Sequence, residues 1–183
     1  IKNAIATNPR IRELFYREAR LASALTHDNI CSIVDFGQDD QFGLFMVMEL
    51  LDGQTVHAKL KAGGKLSPKI ACDVMWQVAD AVRFIHSRTI LHGDIKPSNL
   101  LLDRNGTVWV ADFGLAKAIA DANLTGTGDV VGTLRYMAPE RFKGQADARS
   151  DLFALGLTLY ELLTLRPAYD ATGGVDGRAS IEV

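Results

Sequence analysis

The sequence is poor in most of the features that would place a protein outside the ordinary globular class. It has two cysteines, Cys31 and Cys72, with no CxxC pair and no histidines at zinc spacing. That excludes a disulfide scaffold and a zinc-stapled fold, and the two thiols read as small buried hydrophobes in a reducing compartment. There is no basic excess, since 20 Lys and Arg face 22 Asp and Glu for a net charge of -2. The electrostatic footprint of a nucleic-acid binder is therefore missing, and no nucleic-acid partner is expected. Long apolar runs are also absent: the strongest, Leu152 to Leu163, is broken by Gly156, Thr158 and Glu161 and is too short to span a bilayer. No charged segment followed by an apolar one opens the chain, so no signal peptide is expected. There is no internal repeat and no low-complexity block.

What is present is the composition of a soluble domain, 183 residues with 48% hydrophobic and 23% charged side chains. A chain of this length buries roughly 70% of its unfolded surface, enough for one substantial core or two small lobes. It starts at Ile1-Lys2 without Met and stops at Ile181-Glu182-Val183 without a cap, so both ends read as cuts.

From Ile11 to Leu25 the apolar residues Ile11, Leu14, Phe15, Ala22 and Leu25 fall at helical spacing. Glu18 sits on that stripe, where a carboxylate either needs a partner or snorkels out at the helix edge. Ile33 to Phe36 and Phe42 to Met48 read as an antiparallel hairpin, with Asp52-Gly53 as a turn closing the second strand. Ser67-Pro68 is an N-cap followed by proline at the first helical position. Ala71, Val74, Met75, Val78, Val82 and Ile85 continue it as a core helix. Leu100 to Leu102 and Thr107 to Ala111 flank Asp103-Arg104-Asn105-Gly106, whose Asn-Gly pair supplies the positive φ values of a tight hairpin. Residues 112 to 140 lack a sustained period and read as a long loop, functional or disordered. The last helix, Leu152 to Leu163, is apolar on every side and is expected at the centre of its lobe.

The chemistry lies between the second helix and the second hairpin. His92-Gly93-Asp94-Ile95-Lys96-Pro97-Ser98-Asn99 packs an acid, a cation and an amide together, and Asp112-Phe113-Gly114 follows at the end of the hairpin. The hairpin ends bring Asp94, Asn99 and Asp112 within reach of one another. Asn and Asp oxygens suit Mg2+, a hard ion that keeps waters and takes few protein ligands. A base beside a metal-bound triphosphate needs little else, because phosphoryl transfer is mostly positioning and charge neutralisation. Taken singly, Asp94 is equally a loop cap, Asn99 an Asx-turn residue and Asp112-Phe113-Gly114 an ordinary turn; the three together are not.

These segments, with Ala138-Pro139-Glu140 after them, closely resemble the catalytic loop, metal-binding turn and activation-segment end of protein kinases. The resemblance covers almost the whole chain and implies an α+β, two-lobe fold truncated at both ends. Residues 1-51 would form a partial N-lobe and hinge, and 52-183 a partial C-lobe. By the same resemblance Asp94 would accept the proton of the substrate hydroxyl, Asn99 and Asp112 would hold Mg2+, and Lys96 would steady the transferred γ-phosphate of ATP. Lys96 together with Thr133, which would belong to the substrate platform, resembles the Ser/Thr branch. Met48 falls at the gatekeeper, and Glu49-Leu50-Leu51 would hold adenine. Arg17-Glu18-Ala19 resembles the αC signature, and Glu18 would pair with Lys2, the candidate for the lysine that grips the α- and β-phosphates. Asp151 resembles the residue that anchors the catalytic loop from below. His92 would pack beneath the metal-binding turn next to Phe113, and His27 would be structural.

Departures from the family pattern are equally informative. The Gly-rich phosphate-covering loop and the helices expected after Pro167 are not in the sequence, so the fragment alone is expected to be weak or inactive. The Arg that normally pairs with Glu140 is not visible. Gly93 stands where the motif H-R-D has Arg, which weakens the usual pocket for a phosphate on the activation loop. Thr125 and Thr127 are placed as in autophosphorylating bacterial kinases, and are equally ordinary polar loop residues; a homodimer would serve their modification. Arg17-Glu18-Ala19-Arg20 and Leu51-Asp52-Gly53 resemble bacterial members of the family. The expectation is therefore a Ser/Thr kinase acting on proteins, cytoplasmic or the cytoplasmic part of a membrane-anchored parent. Two rivals stand beside it. Small-molecule phosphotransferases share His92-Gly93-Asp94 with Asn five residues after the Asp, but lack the long segment ending in Ala138-Pro139-Glu140. A pseudokinase scaffold would be expected to have lost the base or the metal ligands, and all three residues are present.

Overall fold

The computed structural model describes residues 9–41, 43–63, 66–113 and 134–169. Lys2, Gly114, Thr125, Thr127 and Thr133 lie outside the described residues.

The first amphipathic stripe forms helix α1, Pro9–Ser23. Its buried line is Ile11, Phe15, Ala19 and Ala22, and Glu18 lies half-buried beside it. The chain then forms β1, Ile33–Asp39, and β2, Gly43–Met48, an antiparallel hairpin with Phe36 opposite Met46 and Asp39 opposite Gly43. Gly37 is opposite Phe45, and a Cβ there would press on the Phe45 ring at 3.0 Å. Phe15 and Leu44 make a small core with Tyr16, Phe36 and Met46, tying α1 to this hairpin.

Asp52-Gly53 does more than end a strand. Gly53 opens β3, Gly53–Thr55, the edge of a second sheet with order β3-β4-β5, where β4 is Leu100–Asp103 and β5 is Val108–Val110. A Cβ at Gly53 would stand 2.7 Å from the Leu102 carbonyl oxygen, so close backbone approach requires glycine here. Helix α2, Val56–Gly63, follows at once. Thr55 Oγ1 accepts the Ala58 N–H and caps it, and Val56 and Leu60 are its buried residues. Eight residues with two buried positions give too weak a period to find in the sequence.

Helix α3, Pro68–His86, begins as expected, with Ser67 Oγ accepting the Ile70 N–H at 3.3 Å and Pro68 in the first turn. Ala71, Val74, Met75, Val78, Val82 and Ile85 are all buried. They meet Leu100, Val108 and Val110 from the sheet and Ala154, Leu155 and Leu162 from helix α4, Ala148–Thr164, in the main core. The β4–β5 turn differs from the expected two-residue Asn-Gly turn. Gly106 alone takes positive φ, 87°, because the Asp103 carboxylate accepts the N–H groups of Asn105 and Thr107 and holds a longer turn.

Helix α4 is not buried on all sides. One stripe, Asp151, Ala154, Leu155, Thr158 and Leu162, faces the core, while Leu152 is 57% and Tyr160 47% exposed. Their face has no described element packed over it. No helix among the described residues is long and apolar enough to cross a membrane.

Candidate active site

Buried polar side chains are costly unless paired, so where they gather is informative. Among the described residues, His92, Asp94, Asn99, Ser150 and Asp151 are buried and belong to the loop after α3 or to the first turn of α4, and only one other buried polar side chain, Thr158 in the middle of α4, lies apart from them. The loop follows α3 and ends in a single 3-10 turn, Pro97–Asn99, that feeds β4.

Asp94 lies at the centre. Its Oδ2 accepts the Asn99 Nδ2 donor at 2.8 Å and pairs with Lys96 Nζ at 2.8 Å. Asn99 Nδ2 also donates to the Asp94 carbonyl at 2.9 Å, so one amide fixes both backbone and carboxylate of the same residue. The Asn99 Oδ1 faces away and accepts from Ser98 Oγ at 3.3 Å. No described residue donates to Asp94 Oδ1.

His92 sets the backbone beneath. Its ring is fully buried, 4.9 Å from the Phe113 ring. Nδ1 accepts the Asp94 N–H at 3.1 Å, and Nε2 lies 3.1 Å from the Ala111 carbonyl oxygen. A carbonyl only accepts, so Nε2 carries the hydrogen and the tautomer is fixed. Burial holds the imidazole pKa below its ordinary value, against the nearby carboxylates of Asp151 and Asp94, which pull it up. His92 is thus a neutral strut and cannot be the acceptor of a substrate proton, since both ring nitrogens are engaged.

Asp151 anchors the loop from α4. Its Oδ2 accepts the His92 N–H at 2.9 Å and its Oδ1 the Gly93 N–H at 2.8 Å. His86 Nε2, from the end of α3, lies 2.8 Å from the same carboxylate. His86 was not legible as a site residue from sequence, because only the packing of α3 on α4 brings it there.

Asp112 is joined to this constellation through the strand end. The Ala111 N–H donates to the Asn99 carbonyl at 2.9 Å, and Asp112 follows with φ of 61° and an exposed side chain. A non-glycine residue held in the left-handed region stores strain of the kind found at functional sites. Asp112 and the Asn99 Oδ1 offer the hard oxygens that Mg2+ takes. Among the described residues no cluster of three or more His, Cys, Asp or Glu forms a complete metal site. A two-residue donor set completed by water and phosphate oxygens fits Mg2+ rather than zinc or calcium.

The proposed nucleotide edge runs along the exit of β2. Met48 is partly exposed, Leu50 fully exposed, and Glu49 is tied back to Ser32 by two bonds, N–H to the Ser32 carbonyl at 3.0 Å and Oε1 from the Ser32 N–H at 2.7 Å. The Leu51 carbonyl accepts the Gly53 N–H. Cys31 is buried nearby, its thiol pushed up to about 11 by burial and then by the charges of Glu49 and Asp112. It is an inert filler. Glu18 stands on α1, and the partner expected for it, Lys2, lies outside the described residues.

Glu140 finds a partner that the sequence did not suggest. It lies in a 3-10 turn, Pro139–Lys143, and accepts the Ser150 Oγ–H at 2.7 Å. That bond lowers its pKa first among several causes. Arg141, next in the chain, donates through Nη1 to the Gly93 carbonyl. His27 is structural: Nδ1 accepts the Asn29 N–H, Nε2 lies 3.2 Å from Asp80, and the ring packs 4.8 Å from Phe84.

Residues 2–181 match the family model described as protein kinase domain. The serine/threonine-protein kinase PrkC of Bacillus subtilis is 42% identical over 162 residues, which is 88% of this chain and 25% of PrkC. The serine/threonine-protein kinase PknB of Mycolicibacterium smegmatis is 37% identical over 171 residues, 90% of this chain and 27% of PknB. The chain thus spans about a quarter of the length of these relatives. Among solved structures, the PknI kinase domain of Mycobacterium tuberculosis superposes with a TM-score of 0.73 at 28% identity, over 95% of this chain and 64% of that one. Rad53 residues 1-466 in complex with AMP-PNP superposes with a TM-score of 0.71 at 27% identity, over 85% of this chain and 38% of that one.

Proposed function

The chain belongs to the protein kinase domain family, and on that premise we propose that the protein transfers the γ-phosphate of ATP to Ser or Thr hydroxyls of protein substrates. The observation that carries the reading is the environment of Asp94, a carboxylate 7% exposed whose Oδ2 is occupied by Asn99 and Lys96 while Oδ1 receives no described donor. A hydroxyl approaching Oδ1 would find an acceptor already oriented, which is what general-base positioning requires.

In this reading each residue of the loop has one task. Asp94 would orient the substrate hydroxyl and take its proton as that oxygen bonds to the γ-phosphorus, the bond from the γ-phosphorus to the β,γ-bridging oxygen breaks and ADP leaves. Lys96, 17% exposed at the mouth of the loop, offsets the charge that builds on the transferred phosphoryl oxygens. Asn99 locks the Asp94 backbone with Nδ2, and with Asp112 would hold Mg2+, which when bound neutralises phosphate charge. Lys2, with Glu18 behind it, would grip the α- and β-phosphates; Met48, Glu49 and Leu51 would border the adenine. Rad53, a fold neighbour, was crystallised with the ATP analogue AMP-PNP, which supports ATP as the nucleotide. Residues 1-51 would serve as part of the nucleotide lobe with its hinge, and 52-183 as part of the catalytic and substrate lobe. Thr133 would lie in the substrate platform. Thr125 and Thr127 would be autophosphorylated within a transient homodimer, raising activity only modestly. The cytoplasm, free or beneath a membrane anchor in the complete protein, is the compartment where ATP and such substrates meet.

The test is phosphate transfer from labelled Mg-ATP by the full-length protein beside an Asp94→Asn copy. Label on Ser or Thr that disappears in the variant supports the reading. ATP binding without label in either protein would replace it with a binding scaffold, and label on small hydroxylated molecules but no protein would replace it with a small-molecule phosphotransferase.

A further inference from the structure

Gly93 is the most mobile kind of residue placed in the least tolerant position, immediately before Asp94, with φ of 77°. Both of its backbone polar groups are tethered. The N–H goes to Asp151 Oδ1, and the carbonyl accepts from Arg141 Nη1. The second tether belongs to a closed circuit of hydrogen bonds. Arg141 is joined by the chain to Glu140, Glu140 accepts from Ser150 Oγ, Ser150 is joined by the chain to Asp151, and Asp151 returns to Gly93. The corner at Ser150 is itself fixed, because its Oγ accepts the Asp147 N–H in the capping box of α4. The Arg141 guanidinium also fills the space beside Gly93, where a Cβ would lie 3.6 Å from Nη2.

From this circuit we propose that Arg141 is a positioning residue for Asp94. The Gly93 carbonyl belongs to the peptide plane that carries the Asp94 N–H, so holding that oxygen fixes the rotation with which Asp94 presents its carboxylate. A charge-assisted bond from a guanidinium is among the stronger ways to hold a carbonyl. With no side chain at position 93 to lock the loop from within, the lock comes from the turn after Ala138-Pro139. The base and the end of the substrate segment are thereby set by one rigid corner, the first turn of α4. The kinetic consequence rests on the kinase reading; the structural one does not.

The experiment uses the full-length protein and the variants Arg141→Ala, Arg141→Gln and Arg141→Lys. Hydrogen exchange of the segment 90–99, without nucleotide, should quicken in Arg141→Ala while protection of α3 and α4 stays as in the parent. In phosphate transfer, kcat should fall on the order of 10–100-fold, as expected for a misplaced reacting group, with KM for ATP unchanged. Arg141→Lys, and millimolar methylguanidinium added to Arg141→Ala, should each restore part of kcat. Exchange in 90–99 that does not change, or a loss of protection spread evenly over the chain, overturns the proposal, as does a change confined to KM. Should the parent protein transfer no phosphate, the kinase reading fails and the exchange measurement still decides the role of Arg141. Should Arg141→Ala fail to fold, Arg141→Gln, which keeps a neutral donor, carries the same comparison.

Discussion

Removing the carboxylate of Asp151, which anchors the loop from α4, should cost the protein more than removing any single side chain of the loop itself. The side chain is 2% exposed and receives three donors, the N–H groups of His92 and Gly93 at 2.9 and 2.8 Å and His86 Nε2 at 2.8 Å. Hydrogen bonds to a charged acceptor are worth about 1.5–3 kcal/mol each, and a buried donor left unsatisfied costs about 1–3 kcal/mol. The three share one acceptor and do not add in full, so Asp151→Ala should lose about 3–5 kcal/mol, the range found when a buried charged network is broken. Against a total stability of about 5–15 kcal/mol that is a large share, and it corresponds to a fall in the unfolding midpoint on the order of 10 °C for a domain of this size. Asp151→Asn sharpens the argument. Its amide has one oxygen, so one backbone N–H would face an NH2 group, donor against donor. The isosteric change should therefore be no milder than Asp151→Ala, where water can enter and accept. Thermal and urea unfolding of the protein and both variants measures this. A loss below about 1 kcal/mol in either variant, or a nearly neutral Asp151→Asn, would refute the claim that the carboxylate is what holds the loop.

Three further outcomes follow from the same geometry. Gly53→Ala would put a methyl group 2.7 Å from the Leu102 carbonyl oxygen and should lower stability by about 1–3 kcal/mol. Gly156→Ala meets nothing within 4 Å inside α4 and should raise stability by about 0.5–1 kcal/mol, so urea midpoints of the two variants should move in opposite directions. Cys72, expected to be a buried hydrophobe, is exposed on the outer face of α3, while Cys31 is buried with its thiol pushed up to about 11; a thiol reagent at pH 8 should react with Cys72 in the native protein and reach Cys31 only on unfolding. His92 has its pKa lowered by burial, so below the ordinary histidine pKa of about 6.5 the unfolded chain binds a proton that the folded one refuses. Stability should therefore fall with acidification below that point, by up to about 1.4 kcal/mol per pH unit, and a His92→Gln variant should lack this slope.

The parts of the site that the sequence exposed are those whose chemistry is local. Asp94, Lys96 and Asn99 lie within one short loop, so their clustering is legible from type and spacing, while the bonds that Asn99 and Lys96 make to Asp94 are seen only in the fold. Helix α3 was equally legible, since six core residues at helical spacing behind a Ser-Pro cap leave little alternative. Helix α2 and strand β3 were not, because their order comes from burial against β4 and not from any period of their own. The expectation that α4 is buried on every side failed for a related reason. Apolar side chains all round a helix state what it could bury, and the exposure of Leu152 and Tyr160 depends on which neighbours are there to cover them.

The long-range half of the site illustrates why motif reading stops where it does. Glu140 reads as an acid in search of an arginine, and in the fold it is satisfied by the hydroxyl of Ser150, a residue with no distinguishing pattern around it. Arg141 belongs to none of the motifs read from the sequence, yet it reaches a backbone carbonyl far away in sequence. Neither pairing leaves a trace in periodicity, because a carbonyl is present at every position and one hydroxyl looks like another. What singles them out is geometry: the loop that bears Asp94 is held at both ends, and Asp151 holds only the N–H side. A glycine before Asp94 makes the second tether necessary, since glycine has the freest φ and ψ of any residue type. The absence of a side chain at position 93 and the presence of Arg141 beside it are thus one structural fact, readable only when the Asp94 loop and the Pro139–Lys143 turn are seen together.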